Sequence, residues 1–300
     1  MILVVGSTGS VGASVVRRLA ADGKQVAALV RDPASEKARA LERQGAKLVE
    51  GDLKDVASLE RALSGADTVI CTASSTMSRQ DGDSLETVDG KGVQTLIDVA
   101  ERRGVRRFVY VSFSRNFPSD FPLGEYKRAA EKRLEASKLD YTILLPSAFP
   151  ETWLSPVVGF DVASGKVRIY GDGQAKVSYI SLEDVAASVV ASVDNPAASR
   201  KAIAVGGPKA YSQLEAVDLV ERATGRTLQR EHMSALEIRG ARAAAGDPMT
   251  ASFLGLFAGI AGGDQIPVDW TGVLGVRPTP LEDWVRQTFG PQSPPPKQEA

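Results

Sequence analysis

The 300 residues carry 36 lysines and arginines against 37 aspartates and glutamates, a formal net charge of −1, so the dense basic surface of a nucleic-acid binder is excluded. At 43% hydrophobic the chain has material for a sizeable core, yet its longest apolar stretch, residues 252–263, is too short and too glycine-rich to span a bilayer. Cys71 is the only cysteine and His232 the only histidine, so neither an internal disulfide nor a multi-histidine metal site is available, and a reducing, cytoplasmic setting is expected.

The elements follow one another with regularity. A strand is predicted at 2–5, early enough to leave no room for a signal peptide, then a helix at 11–21 stopped by Asp22-Gly23. A strand at 26–30, a helix at 34–44 ended by Gly45, a strand at 47–50 and a helix at 56–63 ended by Gly65 come next. The alternation continues through a strand at 68–72, a long helix at 84–103 stopped by Gly104, a strand at 107–111, a helix at 125–137 and a strand at 141–145. The pairs Arg102-Arg103 and Arg106-Arg107 read as solvated surface. Short apolar strands spaced by helices pair in parallel, and right-handed crossovers wind them into an α/β fold of Rossmann type, a doubly wound parallel sheet. After Pro146 the pattern loosens into strands at 167–170 and 177–180, a helix at 182–194 capped by Ser181, a strand at 202–205 and a helix capped by Ser212. Residues 234–263 read as helices with loose loops, and Thr279-Pro280-Leu281-Glu282 as a helix start with threonine as cap. Residues 1–150 are thus expected to form a dinucleotide-binding core, and 151–290 a small C-terminal substrate lobe interleaved with it in one unit. Residues 291–300, with three consecutive prolines, are expected to be a disordered tail.

Between the first strand and first helix stands Gly6-Ser7-Thr8-Gly9-Ser10-Val11-Gly12. Gly6 permits the tight turn, Gly9 lets backbone approach a pyrophosphate, and Gly12 allows helix to pack closely on strand. The helix N-terminus then offers free N–H groups to the anion. The second strand ends in Arg31-Asp32-Pro33; an arginine there favours a ribose 2′-phosphate, which points to NADP, while Asp32 keeps NAD as the alternative.

The G-x-x-G-x-x-G spacing resembles the short-chain dehydrogenase/reductase superfamily. The resemblance implies that Asp52, with Leu53, meets the adenine, that Thr72, Ala73 and Ser74 lie against adenosine ribose and pyrophosphate, and that a serine after the fifth strand, Ser112 or Ser114, contacts a substrate carbonyl. Such proteins use Tyr-x-x-x-Lys, but here Leu123 stands four residues before Lys127, and Tyr126 points about 100° away around a helix. That departure, with Val30-Arg31-Asp32-Pro33 and Gly104-Val105-Arg106-Arg107-Phe108-Val109, narrows the resemblance to the atypical NmrA-like, isoflavone-reductase-like branch. Asp52-Leu53 and residues 72–75 also resemble photosystem-assembly members of that branch.

The branch implies that Lys127 contacts the nicotinamide ribose and serves as acid or base, that Pro146, Ala148 and Phe149 border the nicotinamide, and that Phe149 and Trp153 wall a substrate pocket. The expected function is an NADP(H)-dependent reductase of a small apolar or aromatic carbonyl or enone, with Lys127 or water as proton donor. The alternatives are an NADP(H)-binding redox sensor or assembly scaffold without catalysis, and, less favoured, a sugar-nucleotide epimerase or dehydratase, whose chemistry leans on the tyrosine that Leu123 replaces. Residues 252–263 would be a lid over the pocket or a partner surface. The expected partner is a small-molecule substrate, with no nucleic acid and no membrane insertion; a homo-oligomer or a regulatory protein partner stays open.

Overall fold

Seven apolar runs make the central sheet. They are β1 (Ile2–Val5), β2 (Val26–Val30), β3 (Lys47–Glu50), β4 (Thr68–Cys71), β5 (Arg107–Val111), β6 (Asp140–Pro146) and, after three short strands, β10 (Lys201–Val205). In the computed structural model, which describes residues 1–77 and 80–291, they lie in the order β10-β6-β5-β4-β1-β2-β3, all parallel. Every residue of β1, β2, β4 and β5 is buried, as a sheet covered on both faces requires, whereas the edge strand β3 is exposed at Lys47 and Glu50. The expected tail beyond Pro291 lies outside the described residues.

The period of two along each strand divides the core. Leu3, Val5, Val69, Cys71, Phe108 and Tyr110 face α3 (Val56–Ala62), α4 (Val93–Arg102) and α5 (Pro122–Glu135). Ile2, Val4, Ile70 and Val109 face α1 (Ser10–Ala21), α2 (Glu36–Arg43) and α7 (Leu182–Val193), joined by Trp270 and Leu274 from far along the chain. Between β6 and α7 come α6 (Pro150–Trp153) and the short strands β7 (Phe160–Asp161), β8 (Lys166–Tyr170) and β9 (Lys176–Val177). Past β10 the chain adds β11 (Tyr211–Ser212), α8 (Gln213–Thr224), β12 (Gln229–Met233), α9 (Ala235–Ala243), α10 (Pro248–Gly262), α11 (Trp270–Leu274) and α12 (Leu281–Phe289). Tyr170, Val217, Val220, Ile260, Leu281 and Val285 build a third core in this part. No helix among the described residues is long and apolar enough to cross a membrane.

Four expectations need correction. The helix expected at 84–103 is π-helical over Leu85–Gly92 before it becomes α4; at Gly90 a β-carbon would come within 2.8 Å of the Tyr126 ring, so the wide turn and its glycine pass directly beneath α5. The strand expected at 177–180 stops at Val177, because Ser178 and Ile180 donate their N–H groups to Asp264 and Ala148 instead of to a ladder. β12, a charged run without apolar alternation, was not foreseen and pairs in parallel with β8. Pro280, not Thr279, caps α12, since Thr279 directs its N–H and hydroxyl to the Asp184 carboxylate.

Arg107 is a fifth correction. It is buried, not solvated, and its guanidinium donates to Asp140, to the Thr142 hydroxyl and to the carbonyls of Ser192 and Val193 at the end of α7. Burial lowers its pKa from the ordinary value against the pull of Asp140.

Candidate active site

The loop between β1 and α1 is shaped by what glycine lacks. Gly6 has φ +80, and a β-carbon there would stand 2.6 Å from the Ala73 nitrogen; on Gly12 it would stand 2.2 Å from the Gly6 carbonyl oxygen. The N-cap of α1 is Gly9, which supplies no side-chain acceptor, and the first turn carries no acid. The helix therefore presents uncapped N–H groups and a positive dipole end to the cleft.

Gly9, Ser10, Val11 and Gly12 open onto a cavity of about 430 Å³ at the carboxyl ends of the central strands, where open α/β sheets hold their ligands. Ser7 does not face it: the side chain is buried and its hydroxyl donates to the Leu29 carbonyl at 2.7 Å, tying β1 to β2. Thr8 is exposed outside the lining. Thr72, Ser74, Ser112, Lys127, Pro146, Ala148, Phe149 and Trp153 all line the cavity. Its other walls are mostly apolar: Phe113, Phe117, Leu123, Leu182, Phe253 and Leu256. Leu123 thus places a hydrocarbon at the cavity wall where the sequence pattern leads one to look for a phenol, and Tyr126 turns away against Gly90.

Lys127, 6% exposed, rises from α5 with Nζ 3.4 Å from the Ala73 carbonyl oxygen, 3.6 Å from Asp89 Oδ1 and 5.1 Å from the centre of the Tyr110 ring. Asp89 sits on the π-helix, wholly buried; its Oδ2 accepts from the Ser75 N–H and hydroxyl, while Oδ1 makes no hydrogen bond among the described residues and is left to the ammonium. Burial raises the Tyr110 phenol well above its ordinary range. Ala73 contributes a carbonyl to Lys127 and is not itself in the cavity lining.

The two candidate serines are committed elsewhere. Ser112 gives its only proton to Glu131 Oε1 at 2.5 Å, so it reaches the cavity without a free donor for a carbonyl. Ser114 is buried, donates to Asp264 Oδ1 at 2.7 Å and is not in the cavity lining; its expected substrate contact is withdrawn. Glu151, which the sequence did not single out, lines the cavity from the start of α6. Its Oε1 accepts from the Leu182 N–H at 3.0 Å and the Trp284 indole at 3.2 Å, its Oε2 has no partner among the described residues, and burial pushes its carboxyl above the ordinary range. Ser147 Oγ is likewise buried in the lining without a partner among the described residues.

Beyond the glycine loop, at the ends of β2 and β3, Arg31 does not stand free. Its guanidinium meets Asp83 Oδ2 at 2.5 Å, and Lys54 bonds Asp83 Oδ1. Lys54 also lies 3.1 Å from Asp52, whose Oδ1 accepts the Lys54 N–H; Asp55, not Asp52, caps α3. Leu53 is part of the core beneath, against Gly92, and not of the cavity lining. Burial works against the Asp83 charge, but the bonds from Lys54 and Arg31 prevail and hold its carboxyl down to about 2.

Comparison with known proteins agrees with this architecture. The chain is 33% identical over 250 residues to the isoflavone reductase homolog IRL of Zea mays, covering 77% of each chain. It is 32% identical over 226 residues to the Photosystem II assembly factor Ycf39 of Synechocystis sp., covering 75% of this chain and 68% of that one. Among solved structures, the NADPH-dependent quinone oxidoreductase QOR2 of Escherichia coli, complexed with NADPH, superposes with a TM-score of 0.79 at 23% identity over 97% of this chain and 100% of that one. The NmrA-like family profile matches residues 1–254, and with the uncapped glycine loop and Leu123 in place of a tyrosine four residues before Lys127 it places the chain in that family: this protein is a member of the NmrA-like family.

Proposed function

We propose that the protein is an NADPH-dependent reductase of a small apolar or aromatic carbonyl or enone. One observation carries the reading: the glycine loop and Lys127 open onto a single cavity whose remaining walls are largely aromatic and aliphatic. The residues fit a dinucleotide. The cradle at Gly12 admits no β-carbon, the α1 N-terminus lacks a cap that would compete with a pyrophosphate, and the buried Ser147 Oγ and Glu151 Oε2 await partners such as an amide-bearing ring provides. In this reading Gly9, Ser10, Val11 and Gly12 hold the pyrophosphate, Thr72 and Ser74 border a ribose, Pro146, Ala148 and Phe149 border the nicotinamide, and Arg31 with Lys54 receives a 2′-phosphate. Asp52 borders the adenosine through its pairing with Lys54. The relatives solved with NADPH or NADP(H) support the choice of cofactor.

Bound there, NADPH supplies a hydride from its nicotinamide C4. Lys127, or a water it holds, delivers the proton to the substrate oxygen as charge develops there, while Asp89 fixes the direction of the ammonium from behind. The apolar walls exclude water and select flat, apolar substrates. Leu123 supplies no proton, which disfavours the tyrosine-dependent epimerase chemistry. Loss of NADPH absorbance in the presence of quinones, enones and ketones is the test; tight NADPH binding with no turnover on any of them overturns the reading.

The likeness to an assembly factor supports a second reading, a cofactor-responsive scaffold without catalysis. A set of captured partners that does not change between NADPH and NADP overturns it.

A further inference from the structure

The cluster at the ends of β2 and β3 has an anion of its own. Arg31 follows β2, Lys54 follows β3, and both cations converge on the carboxylate of Asp83, one oxygen each, as they would on two oxygens of a phosphate. Asp83 comes from a different part of the chain, the segment between β4 and the π-helix, and its side chain is only 2% exposed. Its Oδ2 also accepts the Gln80 N–H at 2.9 Å, and the glycine before it, Gly82, has φ +77 with open space on its β-carbon side. Resting on the reading that this end of the cleft receives the adenosine of NADP, any 2′-phosphate must take the two cations from Asp83 or share them with it.

We propose that Asp83 is an internal stand-in for the 2′-phosphate, a specificity-determining residue that weakens NADP(H) relative to a cofactor with a free ribose 2′-hydroxyl. A ligand without the phosphate leaves both ion pairs intact and is not penalised. A ligand with it exchanges one set of charge-assisted bonds for another and gains only the difference. Asp83→Asn keeps the volume and the acceptor for Gln80 but removes the charge that competes.

The test is calorimetric titration of wild-type and Asp83→Asn proteins with adenosine 2′,5′-bisphosphate and with AMP, which differ only in the phosphate at issue. The expected result is bisphosphate binding about tenfold tighter in the variant, from the size of one charge-assisted bond, with AMP binding unchanged. Asp83→Ala shows the same gain, and adding Arg31→Ala to either variant abolishes it, a coupling that independent sites would not show. Bisphosphate binding that is unchanged or weaker in both variants, with AMP binding retained, overturns the inference and makes Asp83 a residue that holds Arg31 and Lys54 in place. Failure of the wild-type protein to bind NADPH or either nucleotide overturns the cofactor reading and this inference with it.

Discussion

Gly12 and Lys127 show two ways in which a single residue constrains this site. The nearest atom to a β-carbon on Gly12 is a backbone oxygen at 2.2 Å, which no rotamer can move. Gly12→Ala is therefore expected to cost about 2–3 kcal/mol of stability and to weaken NADPH binding, read by chemical denaturation and by titration. Lys127→Met is expected to lower kcat about a hundredfold, the scale of a lost general acid, with a smaller change in the Kd for NADPH. A kcat within twofold of wild type would make water alone the proton donor. The glycines were legible in the sequence because their demand is steric and local. Asp89 and Glu151 were not: each acquires its role from a group distant along the chain, Lys127 in one case and Trp284 in the other. Arg31 was legible as the cation that follows β2, but nothing in its neighbourhood announced its partner Asp83, 52 residues on.

Between elements, α1 and α7 are clamped by Glu183, which accepts from the Ser14 hydroxyl at 2.8 Å and pairs with Arg17 and Arg18 at 2.8 and 2.9 Å. Partial burial works against its charge, but the bonds from Arg17, Ser14 and Arg18 hold the carboxyl down to about 2 from an ordinary 4.5. A lowered carboxylate pKa stabilises the fold above the unfolded value and loses that contribution as pH falls, here between about 4.5 and 2. The pair is half exposed, so Glu183→Gln is expected to cost only about 0.5–1 kcal/mol at neutral pH, and the cost should vanish towards pH 2 in denaturation curves. The alternation of strands and helices was legible because each buried strand carries its own apolar run. The π-helical turn was not, since the Tyr126 ring that packs against it stands on a different element. The stretch at 252–263 belongs to α10 and its C-cap Gly263; Gly255 and Gly259 receive the Phe121 and Phe117 rings while Phe253 and Leu256 face the cavity. That arrangement fits a wall or lid better than a free surface for a partner.

At the scale of the molecule, Arg107 binds the central sheet to α7, and Asp184 binds α7 to the segment before α12. Arg107 joins β5 and β6 to the end of α7, and Asp184 takes both polar groups of Thr279 at the entrance to α12. Arg107→Leu takes the donor from the Ser192 and Val193 carbonyls and leaves the Thr142 hydroxyl only its bond to the Ala198 carbonyl, and is expected to destabilise the whole chain by about 3 kcal/mol, seen as a lower denaturation midpoint with an unchanged slope. The apolar part of the cavity was the least legible, because its walls come from separate stretches between Phe113 and Leu256 that no local pattern unites. The same scatter has an optical consequence. Of the chain's three tryptophans, Trp153 lines the cavity and Trp284 donates its indole proton to the wall residue Glu151, while Trp270 is buried in the core beside α7. Two of the three indoles therefore stand in or one hydrogen bond from the cavity, so the unlabelled protein carries its own emission signal for whatever fills it.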